Sequence, residues 1–139
     1  MKQLFLAMAL LGTAACAEAS LFGSDGLLEP EKAFRISARA LDRRAVEIEF
    51  RIAEGYYMYR DRFSFATESG RRLADVEIPR GKLKEDQFFG TTETFRHLVR
   101  MRVPVFAEDA AKGTVTLRVT SQGCWTGASV MCCLSRASA

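Results

Sequence analysis

The chain has 139 residues, 48% hydrophobic and 27% charged, the balance of one soluble globular domain. Its formal net charge is only +3 and its basic residues are scattered, which argues against nucleic-acid binding. No stretch after the N-terminal region approaches the length needed to span a bilayer.

Met1 and Lys2 give a positive start, and an apolar run from Leu4 to Ala15 follows, too short to cross a membrane. Small residues come next, in Ala15-Cys16-Ala17 and Ala17-Glu18-Ala19. The pattern predicts a secretory signal peptide over 1–19, cut after Ala19, with the mature domain over 20–139. A lipoprotein signal with Cys16 as the lipidated residue is the rival reading. Against it, Thr13 stands where such signals usually carry a large aliphatic.

Ser20 to Pro30 is rich in Gly, Ser and acidic residues and reads as an extended lead-in. Glu31 to Ala40 fits a short helix or, through Phe34, Ile36 and Ala38, a strand. Val46, Ile48, Phe50 and Ile52 alternate with Glu47, Glu49 and Arg51, which predicts a strand with one face buried. Gly55 breaks it. Tyr56, Tyr57 and Tyr59 then form an aromatic cluster, whose plainest role is core packing with hydroxyls at the rim. Phe63 and Phe65 alternate again before a turn at Glu68-Ser69-Gly70. Val76 and Ile78 follow, closed by Pro79-Arg80-Gly81. In the segment from Lys84 to Gly90, the neighbours Phe88 and Phe89 cannot both enter one sheet face, so at least one covers a core edge or a site. Phe95, His97, Val99, Met101 and Val103 read as one side of a single run, and Val115, Leu117 and Val119 as the last clear strand. Short strands between Gly and Pro turns indicate an antiparallel sandwich or barrel.

Removal of Cys16 leaves Cys124, Cys132 and Cys133 in an exported chain, where disulfides form. An odd count leaves one thiol over in a monomer. Cys132 and Cys133 are poor partners for each other, because a vicinal disulfide strains the peptide between them. Cys124 follows Gln122-Gly123 at a strand end, and the glycine is read as permitting a sharp turn there. The loop after Cys124 is long enough to return either later cysteine to it. So short a loop contributes little entropic stabilisation, which leaves a redox role open beside the structural one usual in secreted domains. The only histidine, His97, makes no closed zinc spacing with the cysteines. A cysteine-dependent hydrolase would need His97 beside Cys124.

Gly55-Tyr56-Tyr57-Met58-Tyr59-Arg60, Glu85-Asp86-Gln87-Phe88-Phe89-Gly90 and Val119-Thr120-Ser121-Gln122-Gly123-Cys124 occur in that order. Together they resemble the N-terminal periplasmic domain of the thiol:disulfide interchange protein DsbD family. Ala74 to Pro79 and the Leu21-Phe22 pair fit as well, so the likeness runs from about Leu21 to Cys124. It implies an all-β, immunoglobulin-like antiparallel β-sandwich that relays electrons through paired cysteines and needs no cofactor. It implies a donor, the thioredoxin-like C-terminal domain of a full-length DsbD. It also implies recipients: periplasmic disulfide isomerases and the cytochrome c maturation thioredoxin, all thioredoxin-fold partners. Cys124 matches the family's first active cysteine, with Cys132 as its partner and Cys133 as the alternative. Asp86, Gln87, Phe88 and Phe89 match the cap loop, with Phe88 as the ring over the disulfide. Tyr57 and Tyr59 match tyrosines near the site. A negative Asp86 near Cys124 would raise the thiol pKa and slow unwanted attack, while the lid restricts access to the sulfur.

The chain departs from the family at several points. Gln87 stands where an acidic residue is usual. The family's second cysteine follows the first more closely and precedes Tyr-Pro-Pro. Here Trp125 to Met131 lengthens the loop, Cys133 is added, and Leu134-Ser135-Arg136 follows. No closing strand, membrane segment or thioredoxin-like domain is read after it, as expected of a truncated or frameshifted product with a sandwich edge left unpaired. Two functions are therefore carried forward: a periplasmic interchange module, and a non-catalytic immunoglobulin-like binding module or degenerate relic.

Overall fold

The computed structural model describes residues 26–87, 89–126 and 137–138. The expected signal peptide, the Phe88 ring and both candidate partner cysteines, Cys132 and Cys133, lie outside those residues. Pro30 occupies the first turn of a short helix, α1 (Pro30–Ala33), where its missing N–H costs nothing. From there the period changes to two. Phe34 is buried, Arg35 exposed and Ile36 half-buried, so the expected strand wins over a longer helix in β1 (Phe34–Asp42). β2 (Ala45–Ile52) returns antiparallel beside it, burying Ile48, Phe50 and Ile52 as its alternation predicts.

The strands that follow are β3 (Tyr56–Tyr59), β4 (Ser64–Thr67), β5 (Arg72–Leu73), β6 (Lys82–Asp86) and β7 (Gly90–Phe95). Then come β8 (Leu98–Pro104), β9 (Leu117–Thr120), β10 (Gly123–Trp125) and β11 (Ala137–Ser138). A helical turn, α2 (Ala107–Ala110), separates β8 from β9, and a 3₁₀ turn (Arg60–Arg62) separates β3 from β4. The strands form sheets of order β1-β2-β8, β10-β3-β7-β6 and β11-β9-β4-β5, every pairing antiparallel. The architecture is the immunoglobulin-like sandwich expected from the sequence. β11 pairs with β9, Ala137 opposite Val119 and Ser138 opposite Arg118. Among the described residues, no helix is long and apolar enough to cross a membrane.

One run of the sequence divides. Phe95 and Val99 both enter the core, yet β7 pairs with β3 and β6 while β8 pairs with β2, so the chain changes sheets between them. Arg96 and His97 make that corner. His97 sits at φ 65°, a left-handed conformation that histidine tolerates better than a β-branched residue. An uninterrupted strand would have placed His97 on the buried side, where an imidazole needs a polar partner. The corner exposes it instead. Val76 and Ile78 also depart from expectation. They pack against the core beside a single bridge between Glu77 and Arg102, with no continuous ladder.

Ile48, Phe50, Met58, Phe65, Met101, Val103 and Val119 fill the space between the sheets. Phe63 joins them, 5.5 Å from the Phe50 ring and 6.1 Å from the Phe95 ring. The outer face of β1-β2-β8 carries the polar half of the alternation. There Arg39 pairs with Glu47, Arg51 and Arg100 with Glu49, and Arg102 with Asp42. Exposed pairs of this kind contribute little stability individually.

Gly123 locks the site strand to this core. A Cβ on Gly123 would lie 2.4 Å from Cζ of Phe34 and 2.9 Å from the Tyr57 carbonyl oxygen. Glycine is thus required by close packing, which replaces the sharp turn expected there. Gly123→Ala is expected to destabilise the domain by about 1–3 kcal/mol, the usual cost of overpacking. In a Phe34→Leu background the same change should cost measurably less, because the clashing ring is gone. Urea unfolding of the four proteins checks this, and equal costs in both backgrounds would contradict the assignment.

Candidate functional site

β3 is buried on both faces, so its alternation serves two interiors. Tyr56 and Met58 enter the main core, while Tyr57 and Tyr59 form a second buried cluster with Cys124. Register assembles the rest. Cys124 stands opposite Tyr57, Tyr59 opposite Thr94, Thr94 opposite Lys82, and Lys84 opposite Thr92. Side chains at paired positions share a sheet face, so these residues and Asp86, two on from Lys84, line one surface. Cys124 is 5% exposed, Tyr59 1% and Asp86 6%.

A buried carboxylate persists only with partners, and Asp86 has several. Its Oδ2 accepts a hydrogen bond from the Tyr59 hydroxyl at 2.7 Å and a longer one from Tyr57 at 3.4 Å. The two tyrosine hydroxyls are 3.2 Å apart. Asp86 Oδ1 accepts from the Phe89 backbone N–H at 3.3 Å, which folds the cap loop back toward β3. Lys84 Nζ lies 3.4 Å from Asp86 Oδ2 and 4.5 Å from the centre of the Tyr57 ring. Burial pushes the Tyr59 hydroxyl above its ordinary pKa, and hydrogen bonds with Tyr57, Asp86 and Cys124 act in the same direction. Tyr59 therefore joins the sulfur to the carboxylate through one neutral hydroxyl.

The structure brings together Cys124, Tyr57, Tyr59, Asp86 and Phe89 from the residues expected at the site. Phe89 is half-buried and packs edge-on against Tyr59, their ring centres 5.1 Å apart. Gln87 is exposed in the turn of the cap loop. His97 turns its exposed ring to the Glu54 carboxylate, 3.5 Å away, and supplies no base to Cys124. That removes the observation a cysteine–histidine hydrolase would require.

Three cations at the site were not anticipated from sequence. Lys84 and Arg96 each place a charged end over the Tyr57 ring, and Arg62 sits 4.5 Å from the centre of the Phe89 ring. The signal for Lys84 was its spacing of two from Asp86 on one strand, which puts both on the same face. Arg62 and Arg96 come from turns whose direction no periodicity reveals.

The family described as "Thiol:disulfide interchange protein DsbD, N-terminal" matches residues 24–137. The chain is 46% identical over 103 residues to a thiol:disulfide interchange protein DsbD of Ralstonia nicotianae, covering 73% of this chain and 16% of that protein. It is 39% identical over 100 residues to DsbD 1 of Pseudomonas aeruginosa, covering 71% of this chain and 17% of that one. It thus spans about a sixth of the length of these relatives. Among solved structures, the reduced DsbD N-terminal domain of Neisseria meningitidis superposes with a TM-score of 0.61 at 31% identity, covering 81% of this chain and 85% of that one. A complex of the DsbD and PilB N-terminal domains from the same organism gives a TM-score of 0.62 at 33% identity, covering 83% of this chain and 85% of that one.

The raised Tyr59 pKa has a consequence for alkaline stability. The unfolded chain loses this proton near pH 10, the usual tyrosine value, while the folded chain holds it to higher pH. The stabilising contribution is complete below about pH 10 and is lost as the pH rises beyond it, because the unfolded state then binds fewer protons. Tyr59→Phe is expected to flatten the fall in stability between about pH 10 and 11.5 relative to the parent. Denaturant midpoints measured across that range test it, and parallel curves for the two proteins would contradict it.

Proposed function

The chain belongs to the DsbD N-terminal domain family, and from that premise we propose that it is a periplasmic thiol:disulfide interchange module. In this reading residues 1–19 direct export and are removed, and the domain over 20–139 works as a protein-disulfide reductase. The observation that supports it best is Cys124, buried on edge strand β10 in one cluster with Tyr57 and Tyr59, against which Phe89 of the Asp86 loop packs. Cys124 pairs with Cys132, or alternatively with Cys133. A thiolate of a reduced thioredoxin-fold donor attacks one sulfur of that pair, forming a mixed disulfide and releasing the other sulfur as a thiolate. The donor's second thiolate then resolves the mixed disulfide. Two electrons have moved to this chain, and the donor leaves oxidised. The same steps in reverse reduce a periplasmic disulfide isomerase or the cytochrome c maturation thioredoxin. The donor in the family setting is the thioredoxin-like C-terminal domain of a full-length DsbD.

The cap loop, with Phe88 and Phe89, shields the sulfur until a partner displaces it, so selectivity comes from docking. Asp86 contributes by charge: a buried carboxylate coupled through Tyr59 disfavours a thiolate at Cys124. Asp86→Asn is expected to raise the iodoacetamide rate of the reduced protein at pH 8, and an unchanged or lower rate would remove that role.

The pairing is tested on the full chain after oxidation. Peptide mapping should show Cys124 joined to Cys132 or Cys133, and a reduced thioredoxin-fold domain should open that bond in a single fast phase. Oxidised protein with no Cys124 linkage would overturn the interchange reading and leave the non-catalytic binding module.

A further inference from the structure

We infer that the face around Cys124 is an electropositive docking surface, built for a redox partner whose own reactive cysteine is rimmed with carboxylates. The inference rests on the interchange reading and specifies its partner. Lys84, Arg96 and Arg62 come from three separate segments: β6, the corner after β7 and the 3₁₀ turn. Their charged ends all lie over the aromatic rings of the cysteine cluster, at 4.5 Å, 5.4 Å and 4.5 Å from ring centres. Lys82 extends the same face, opposite Thr94.

Individual ion pairing distinguishes Arg62 and Arg96 from four arginines on the outer face of β1-β2-β8. There Arg39, Arg51, Arg100 and Arg102 each meet a carboxylate within 3.1 Å, Arg51 and Arg100 sharing Glu49. At the site, among the described residues, Arg62 and Arg96 have no carboxylate within ion-pair distance, and Arg96 instead meets the Thr126 hydroxyl at 3.4 Å. The acids nearby are otherwise placed. Asp86 is buried and pairs with Lys84 at 3.4 Å, Glu85 takes a hydrogen bond from Thr91, Glu93 pairs with Arg60, and Glu54 faces His97. Asp61, beside Arg62 in the turn, is the exposed acid closest in sequence. Gln87 at the tip of the cap loop is exposed and uncharged.

Cations held over aromatic rings at a rim make an oriented, incompletely neutralised patch around a buried sulfur. Such a patch raises the encounter rate with an anionic surface and steers it into register, and salt screens the effect. Displacing the Phe89 lid then follows docking, because Arg62 and Phe89 are in contact.

The test uses the oxidised full chain and a reduced thioredoxin-fold domain of net negative charge, mixed in stopped flow at 20 mM and 500 mM salt. The parent's second-order rate should fall at least about tenfold between these salts. R62E/R96E should be at least about tenfold slower at 20 mM and should converge on the parent at 500 mM. The same domain with its rim carboxylates changed to amides should show little salt dependence. Exchange at normal rates with a flat salt response in the parent would overturn the docking surface and leave the interchange reading intact. A loss in R62E/R96E of equal size at both salts would assign the effect to lid geometry and also overturn it. No exchange at any salt would overturn the interchange reading and the docking surface together.

Discussion

Because β3 has no solvent face, the residues from Tyr56 to Tyr59 must satisfy two interiors at once. One side completes the apolar core, through Met58 and the Tyr56 ring set edge-on to Phe34. The other side buries phenolic rings, and buried hydroxyls need acceptors. That need is met by Asp86 at the end of β6, and Asp86 in turn ties down the Phe89 end of the cap loop. The environment of Cys124 is thus what remains once the polar demands of a doubly buried strand are met. The 2.7 Å bond between Tyr59 and Asp86 holds those parts in one arrangement.

The buried carboxylate brings an electrostatic demand of its own. In a sheet interior a lone anion is costly, and four neighbouring donors share it: two hydroxyls, one backbone amide and the Lys84 ammonium. Lys84 is half-buried and stands between Asp86 and solvent, so the acid is compensated without lying open to water. The sulfur therefore meets the neutral Tyr59 hydroxyl first, with the Asp86 carboxylate and its donors behind it.

Much of this was legible in the sequence, because burial writes a period of two into a strand. β2 and β9 follow from Ile48 and Leu117 with their neighbours, and the motifs around Tyr57, Asp86 and Cys124 supply residues that one cluster brings together. What stayed illegible was any feature set by a partner distant in sequence. The alternation through Phe95, His97 and Val99 is unbroken, yet it spans two sheets, since both strands face the same core from opposite sides. Gly123 reads as a turn residue, while its reason is the Phe34 ring. Arg62 and Arg96 leave turns, where no period exists to say which way a side chain points.

The contact between Gly123 and Phe34 makes two properties inseparable. Phe34 sits where α1 becomes β1, and its ring rests against the backbone that carries the sulfur. Any repacking of that junction shifts the residue next to Cys124 before it shifts anything else at the site. The thiol's alignment is therefore inherited from the hydrophobic interior. A change selected for core stability alone would also shift the packing around Cys124 within β10.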